Sequence, residues 1–404
     1  MTPPTNLQST LSSITSTSFS SEADRISARD ALFECLRRVQ SPWDIAWDQN
    51  WVNPAINAAI KTLIDMGVFT SWASFCAPTE KPITPSQLAS LTGADELLIR
   101  RMLRAISGQF LVLEVGKDTY ARTPWAKTLA SDPSFAGMYG GFYHELNSQM
   151  FRTLPAYLAS TSHKNPTDVN NCNFQFWQRD PNANMFQYVG TNPNLTAHFN
   201  DAMECHSRYN LTPWVDIYPT SSLVPSDKPL VVDIGGGKGH DLQKFLARHS
   251  SSHLQPGSLV LQDLPDILKG VPESLSQVDT QKIIKVQPHD FFTPQPASCQ
   301  GAKIYFMHNV LHDWPDATAR QILQTLAPAL NKGYSRLLIH ESLVTDEKPL
   351  SRVTVSDITM MACLAAAERT EEQWRQLVDS AGLKVVKIWR PVESVESIIE
   401  VELA

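Results

Sequence analysis

VVDIGGGKGH, running from Val231 to His240, is the stretch that decides how the rest of the chain is read. An apolar run ends in an acid, glycines crowd the turn, and the helix-like DLQKFLARH follows at once. Missing side chains let backbone approach a ligand, and a helix N-terminus beside them offers unpaired N–H groups. A Walker-type phosphate loop needs Gly-Lys followed by Ser or Thr, whereas Lys238 is followed by Gly239. The dinucleotide pattern G-x-G-x-x-G fails too, because His240 stands where its last glycine belongs. What remains is D-x-G-x-G-x-G over Asp233, Gly235, Gly237 and Gly239, the spacing of a loop around a nucleoside without a pyrophosphate.

Working outward, strand-like and helix-like segments alternate from Pro229 onward: PLVVDI, DLQKFLARH, SLVLQD, a helical stretch near Pro265, KIIKV, KIYFM, ARQILQTLAPAL, RLLIHE, EEQWRQLVDSAG, KVVKIW and SIIEVEL. Near-continuous apolar strands between helices predict an α/β domain with a mostly parallel sheet covered on both faces. The last two strands lie close together and predict a terminal hairpin with one antiparallel strand. Ligands of such sheets bind beyond the carboxyl ends of the strands. At those ends stand Asp263, with Leu264 after it, and Asp290 beside Phe291. Asp263 can accept both hydrogen bonds of a ribose diol. Asp290 can accept from an adenine amino group against the aromatic face of Phe291.

The fourth strand, KIYFM, runs into HNVLHDWPDATARQIL, placing His312 and Asp313 just before a helix. An imidazole there can deprotonate a hydroxyl near neutral pH. In the plainer reading Asp313 caps the helix, with Pro315 and Asp316 in its first turn. The fifth strand is read as ending at Glu341, and Glu368 precedes a capping box of Thr370 and Gln373. Either acid is by itself an ordinary surface carboxylate; around one cleft, they could hold the imidazole in one tautomer and stabilise its cation.

Residues 1–27 are rich in Ser and Thr and read as a flexible tail. Residues 28–130 carry helical periodicity, then ITPSQLASLTGADELLIRRMLRAI, then FLVLEV and TYARTP around Gly116-Lys117-Asp118: helix, helix and hairpin, the order of a winged helix. Arg100, Arg101 and Arg104 on its second helix raise a DNA-binding reading. The chain's net charge of -7 favours a dimerisation or packing module instead. Residues 131–404 form the second domain, and its first part, 131–225, is a helical wall with Phe174, Phe176, Trp177, Phe186 and Phe199.

Hydrophobic residues make up 42% of the 404-residue chain and charged residues 19%, a globular composition. The six cysteines have no metal-ligand spacing and read as free thiols of a reducing compartment. No metal is expected. The N-terminus lacks the pattern of a secretory signal and no run has the apolar length of a membrane span, so a cytoplasmic protein without membrane or nucleic-acid partners is expected.

Together, VVDIGGGKGH, LVLQDLP, HDFF, LHDWPD and AERTEEQW resemble the plant and fungal class of S-adenosylmethionine-dependent O-methyltransferases, over residues 30 to 404. The resemblance implies a Rossmann-like, doubly wound, mostly parallel seven-stranded sheet behind a mainly helical winged-helix dimerisation domain, and hence a homodimer. It implies that S-adenosylmethionine meets Asp233, Gly235, Gly237, Asp263, Leu264, Asp290, Phe291 and His308, with Ser207 near its methionine end. It implies His312 as general base flanked by Glu341 and Glu368, and Met203, Phe176, Trp177, Phe199 and Asn309 near an aromatic or polyketide-like acceptor from fungal secondary metabolism. Two positions depart from the family's pattern: His308 stands where many relatives carry Lys or Arg, and Ala366-Ala367 replaces Gly-Lys. Some fungal relatives use the cofactor's charge for dehydration or pericyclic reactions, with Arg or Lys in place of the His of the HD pair; the retained His312 favours methyl transfer. A non-catalytic binding protein on the same fold is the third reading.

Overall fold

The computed structural model describes residues 7–209, 212–249, 254–275, 282–391 and 395–404. The chain divides after Asp132 into two compact units.

In the first unit a helix covers Glu22–Val39. It begins before the expected start at Ala28 because the Ser21 hydroxyl accepts from the Asp24 N–H at 3.1 Å and caps it. A short helix, Leu7–Ser13, also lies within the stretch expected to be a flexible tail. The winged-helix order is present: helices Pro85–Thr92 and Glu96–Ser107, then strands β1 (Val112–Gly116) and β2 (Thr119–Arg122), paired antiparallel. Thr84 and Gln87 form a capping box on the first helix, and Asp95 caps the second. Arg104 pairs with Asp118 of the hairpin turn at 2.9 Å, and Arg100 lies 3.5 Å from the same carboxylate. Two of the three arginines behind the DNA-binding reading thus hold the wing to its helix.

The second unit is built on β3 (Val231–Ile234), β4 (Leu259–Asp263), β5 (Ile284–Pro288), β6 (Ile304–His308), β7 (Arg336–Val344), β8 (Arg369–Thr370), β9 (Leu383–Trp389) and β10 (Glu396–Leu403). The strand order is β5-β4-β3-β6-β7-β10-β9, with the two-residue β8 pairing β7 off this path. Strands β3 to β7 run parallel; β10 is antiparallel to both its neighbours, as the terminal hairpin predicts. Strand order reverses between β3 and β6, which opens the ligand crevice there.

Alternation along each strand feeds two cores. Val232, Val260, Tyr305, Met307, Leu337 and Ile339 pack on one face with Ile322, Leu323, Trp374 and Leu377 of the later helices. Val231, Leu259, Phe306 and Leu338 pack on the other with Trp214, Leu242 and Phe245. Burying each such side chain stabilises the unit by about 1.5–3 kcal/mol. One expectation is corrected: β7 does not end at Glu341 but continues to Val344, because Leu343 and Val344 pair with Arg369 and Thr370 of β8. No described helix is long and apolar enough to cross a membrane.

Candidate active site

The glycine loop hangs on the neighbouring strand: the N–H groups of Gly235 and Gly236 donate to the Gln262 carbonyl at 2.8 and 3.1 Å. Gly235 has a φ of +73°. A Cβ on it would lie 2.8 Å from Val310 Cγ2, and one on Gly236 would lie 2.4 Å from Asp233 Oδ2. Only glycine fits either place. The Asp263 carboxylate accepts from the Gly237 N–H at 2.9 Å and from the Leu264 N–H at 2.7 Å, so it is held at the strand end facing the loop.

Beneath the loop Asp233 is buried, and its Oδ2 has no hydrogen-bond partner among the described residues. Burial pushes this carboxyl well above its ordinary pKa, and the nearby Asp241 charge pushes it further. An unpartnered buried carboxylate oxygen under a glycine cradle, with a second acid at the next strand end, fits a ligand carrying a cationic amino group and a ribose diol. Asp290 is exposed beyond β5, its Oδ1 accepting from the Phe292 N–H at 3.0 Å. Phe291 borders the loop: its Cε1 would stand 4.0 Å from a Cβ on Gly235.

The catalytic candidates meet. His312 and Asp313 lie in the tight turn Leu311–Asp313 after β6. The His312 Nδ1 is 3.0 Å from Glu368 Oε1 and 3.6 Å from Glu341 Oε2, and its Nε2 is 3.5 Å from Asp313 Oδ1. Glu341 is fully buried, and its Oε1 accepts from the backbone N–H groups of Val310, Leu311 and His312 at 3.0, 2.9 and 3.3 Å. Glu368 is oriented from two sides: Ser356 Oγ donates to its Oε1 at 2.6 Å, and its own N–H donates to Asp357 at 2.9 Å. Burial lowers the imidazole pKa, but Glu341, Asp313 and Glu368 outweigh it and raise the value to about 10. Burial lifts Glu341 to about 7 and Asp313 to about 6 despite the imidazole beside them. The reading of Asp313 as a helix cap is corrected, since Pro315 occupies that place before Asp316–Leu326. Thr370 and Gln373 form the expected capping box.

His308 has partners other than an open loop. Its Nδ1 lies 2.7 Å from Asp241 Oδ2 and its Nε2 3.0 Å from Glu396 Oε2, so neither ring nitrogen is left to face a ligand. Asn309 also donates to Glu396, at 3.2 Å. In the helical wall Trp177 and Phe199 pack into a cluster around Phe174, Met185 and Leu195. Phe176 and Met203 remain exposed. Ser207 belongs to the helix Pro193–Tyr209, and its side chain lies outside the described residues. From the wall, Phe186 stacks on Trp314, the residue after the His312 turn, with centroids 5.7 Å apart.

Sequence reading passed over Arg369, although it stands inside the quoted AERTEEQW. Its guanidinium is 3% exposed and donates to the carbonyls of Leu311 at 2.9 Å and Trp314 at 2.6 Å and to Asp316 at 2.8 Å, so it fixes both ends of the His312 turn. Arg369→Met is expected to lower stability by on the order of 3 kcal/mol, two buried carbonyls each losing roughly 1–3 kcal/mol of hydrogen bonding. A urea midpoint equal to the parent's would contradict this role. Asp241, His340 and Glu396 were also missed: Asp241 follows the glycine loop and His340 precedes Glu341, but nothing local ties these separate segments to one another.

Comparison with known proteins identifies the family. A family profile described as an O-methyltransferase domain matches residues 162–384, and one described as an O-methyltransferase dimerisation domain matches residues 54–132. O-methyltransferase mfmE of Annulohypoxylon moriforme is 34% identical over 99% of this chain and 96% of its own. The structure of LepI in complex with SAM superposes with a TM-score of 0.85 at 26% identity, covering 96% of each chain. A structure described as a pericyclic reaction enzyme superposes with a TM-score of 0.84 at 26% identity, covering 98% of each. The chain therefore belongs to the O-methyltransferase family, a methyltransferase whose cofactor is S-adenosylmethionine, with a dimerisation domain preceding the catalytic one.

Proposed function

We propose that this enzyme methylates a phenolic or enolic hydroxyl of a small aromatic or polyketide-type metabolite, with His312 as general base. The observation that carries this reading is the His312 imidazole whose Nδ1 faces both Glu368 and Glu341, at 3.0 and 3.6 Å, on the turn that follows β6. When bound, S-adenosylmethionine supplies a methyl group on a positively charged sulfur. Asp233 would face its amino group, Asp263 its ribose, and Asp290 and Phe291 its adenine, with Gly235, Gly237 and Leu264 lining the loop. Ser207 would stand near its methionine end, and Met203, Phe176, Trp177, Phe199 and Asn309 toward the acceptor. Glu368, facing Nδ1, leaves Nε2 to take the acceptor's proton.

A raised imidazole pKa favours an acidic acceptor hydroxyl. An imidazole with a pKa of about 10 takes a proton from a phenol, whose pKa is also near 10, without an uphill step. An aliphatic alcohol, about as weak an acid as water at ~15.7, would face a steep one.

The same value sets the pH dependence. The base works as free imidazole, and raising its pKa keeps it protonated at neutral pH. We therefore expect kcat/KM to climb through the neutral range toward about pH 10. Glu368→Gln removes one of the charges that raise this pKa and is expected to move the ascending limb to lower pH, with a lower plateau. An unmoved limb would contradict the assignment.

Methyl-labelled S-adenosylmethionine offered with a panel of phenols and enols tests the reaction. Label in the product supports methyl transfer, while product without label supports a dehydratase or pericyclase reading, which the likeness to the pericyclic reaction enzyme keeps in play. The enzyme is proposed to be a cytoplasmic homodimer. Its first unit exposes a cluster of Trp43, Trp47 and Trp51, the last two stacked with centroids 5.0 Å apart, an apolar face suited to a second copy.

A further inference from the structure

Strand alternation separates two neighbours on β7: Glu341 points with Ile339 and Leu343 to the face of the catalytic turn, and His340 points with Leu338 to the other. On that other face lies a second buried charge cluster, which the methyl-transfer chemistry does not use. His308, the register partner of His340, sits with its ring stacked on the His340 ring at a centroid distance of 4.2 Å. Its two nitrogens face Asp241 Oδ2 at 2.7 Å and Glu396 Oε2 at 3.0 Å. All three side chains are about nine-tenths buried.

A neutral imidazole has one donor and one acceptor, and an ionised carboxylate only accepts. Two carboxylates on opposite nitrogens are therefore both satisfied only when His308 carries two protons and a positive charge. The charge pattern agrees: burial opposes ionisation of all three groups, yet each holds the other charged, raising His308 and lowering Asp241 and Glu396. His340 is held neutral, its pKa taken down to about 3 by burial and the adjacent cation, and it offers a ring face instead of a competing charge.

What the cluster joins gives it a purpose. Asp241 is the second residue of the helix His240–Arg248, which springs directly from the glycine loop; Glu396 opens β10; and His308 closes β6, at the point where strand order reverses. Asp241 also bears on Asp233, the unpartnered carboxyl under the loop: its charge disfavours ionisation of Asp233, and the His308 charge favours it. Lys244 reaches Asp241 at 3.3 Å from the solvent side, and Trp214 Nε1 donates to the Asp241 carbonyl at 3.1 Å, so the helix start is held at several points with His308 at the centre.

We propose that His308, as an imidazolium clamped between Asp241 and Glu396, is a positioning residue for the cofactor: it locks the start of the glycine-loop helix to the sheet. The inference rests on the reading that this loop binds S-adenosylmethionine. It concerns cofactor affinity, not the base at His312.

The test uses the full-length enzyme and S-adenosylhomocysteine as the calorimetric probe. His308→Gln, which carries no charge and offers an acceptor oxygen beside its NH2 group, is expected to weaken binding at least tenfold and to raise the KM for S-adenosylmethionine more than it lowers kcat. His308→Lys, which restores a cation between the same acids, is expected to recover most of that loss. Equal affinity in His308→Gln and the parent, or no recovery with lysine, would overturn the clamp alone; a parent that does not bind the probe would overturn the loop reading and the clamp together. If His308→Gln does not fold, ¹⁵N spectra of histidine-labelled His312→Ala enzyme decide the matter. An imidazolium signal persisting at pH 8.5, where exposed histidines are neutral, supports the clamp, and only neutral rings would overturn it.

Discussion

Replacing His312 by alanine is expected to lower kcat by about a thousandfold, within the range of roughly 10²–10⁴ that a positioned acid–base group contributes. The substitution removes the group that takes the acceptor's proton, while the glycine loop, Asp233 and Asp263 stand on other strands. Cofactor affinity is therefore expected to stay close to the parent's, and the loss to fall on kcat. The turn itself has independent supports: Glu341 still accepts its backbone N–H groups, and Arg369 still holds the carbonyls of Leu311 and Trp314. Single-turnover product formation with isothermal titration of the cofactor separates the two effects. Activity within tenfold of the parent would remove His312 from the chemistry. A matching loss of cofactor binding would make it a structural residue.

Gly236→Ala is expected to have the second large effect, this time on binding. Its new Cβ would sit 2.4 Å from Asp233 Oδ2 and 2.6 Å from Leu261 Cδ1. Leu261 is fully buried in the sheet and Asp233 lies beneath the loop, so neither can swing away into solvent. Relief must come from the loop, which would lift off the strand end and away from its bonds to Gln262. Overpacking of this kind costs about 1–3 kcal/mol, and a loop displaced from its ligand carries that cost into the binding constant, about a hundredfold in the Kd for S-adenosylmethionine. Gly190→Ala, in the helix Met185–Thr191 and outside the loop, makes the control, because no atom lies within 4 Å of its would-be Cβ and its φ is not positive. Should Gly236→Ala bind as the parent does, the loop would not be the cofactor's cradle.

Much of the catalytic unit was legible because its signals are local. Apolar runs between amphipathic segments announced β3, β4, β6 and β7, and the closeness of the last two strands announced the antiparallel β10. The rule that ligands sit beyond strand ends singles out Asp233, Asp263 and His312 from the sequence. The limits of that reading fall where pairing is nonlocal. The two-residue β8 has no periodicity to detect, yet it extends β7 beyond Glu341 and carries Glu368 to His312. The resemblance places His308 at the cofactor, but a family position says where a side chain begins and not which partners claim it, and here Asp241 and Glu396 do.

The sequence by itself determined the α/β class, the glycine loop that rejects the phosphate motifs, and the residue types at the strand ends, because these follow from periodicity of two and 3.6 and from steric demands within a few residues. Glu341 and Glu368 stand at His312 on one face of the sheet, as the resemblance implies. Only the tertiary structure decided that Asp241 and Glu396 go to His308 on the other. The reason is that a buried charge takes its partner from whatever element packs against it, and Asp241, His308 and Glu396 become neighbours only after the sheet has closed in the order β3-β6-β7-β10.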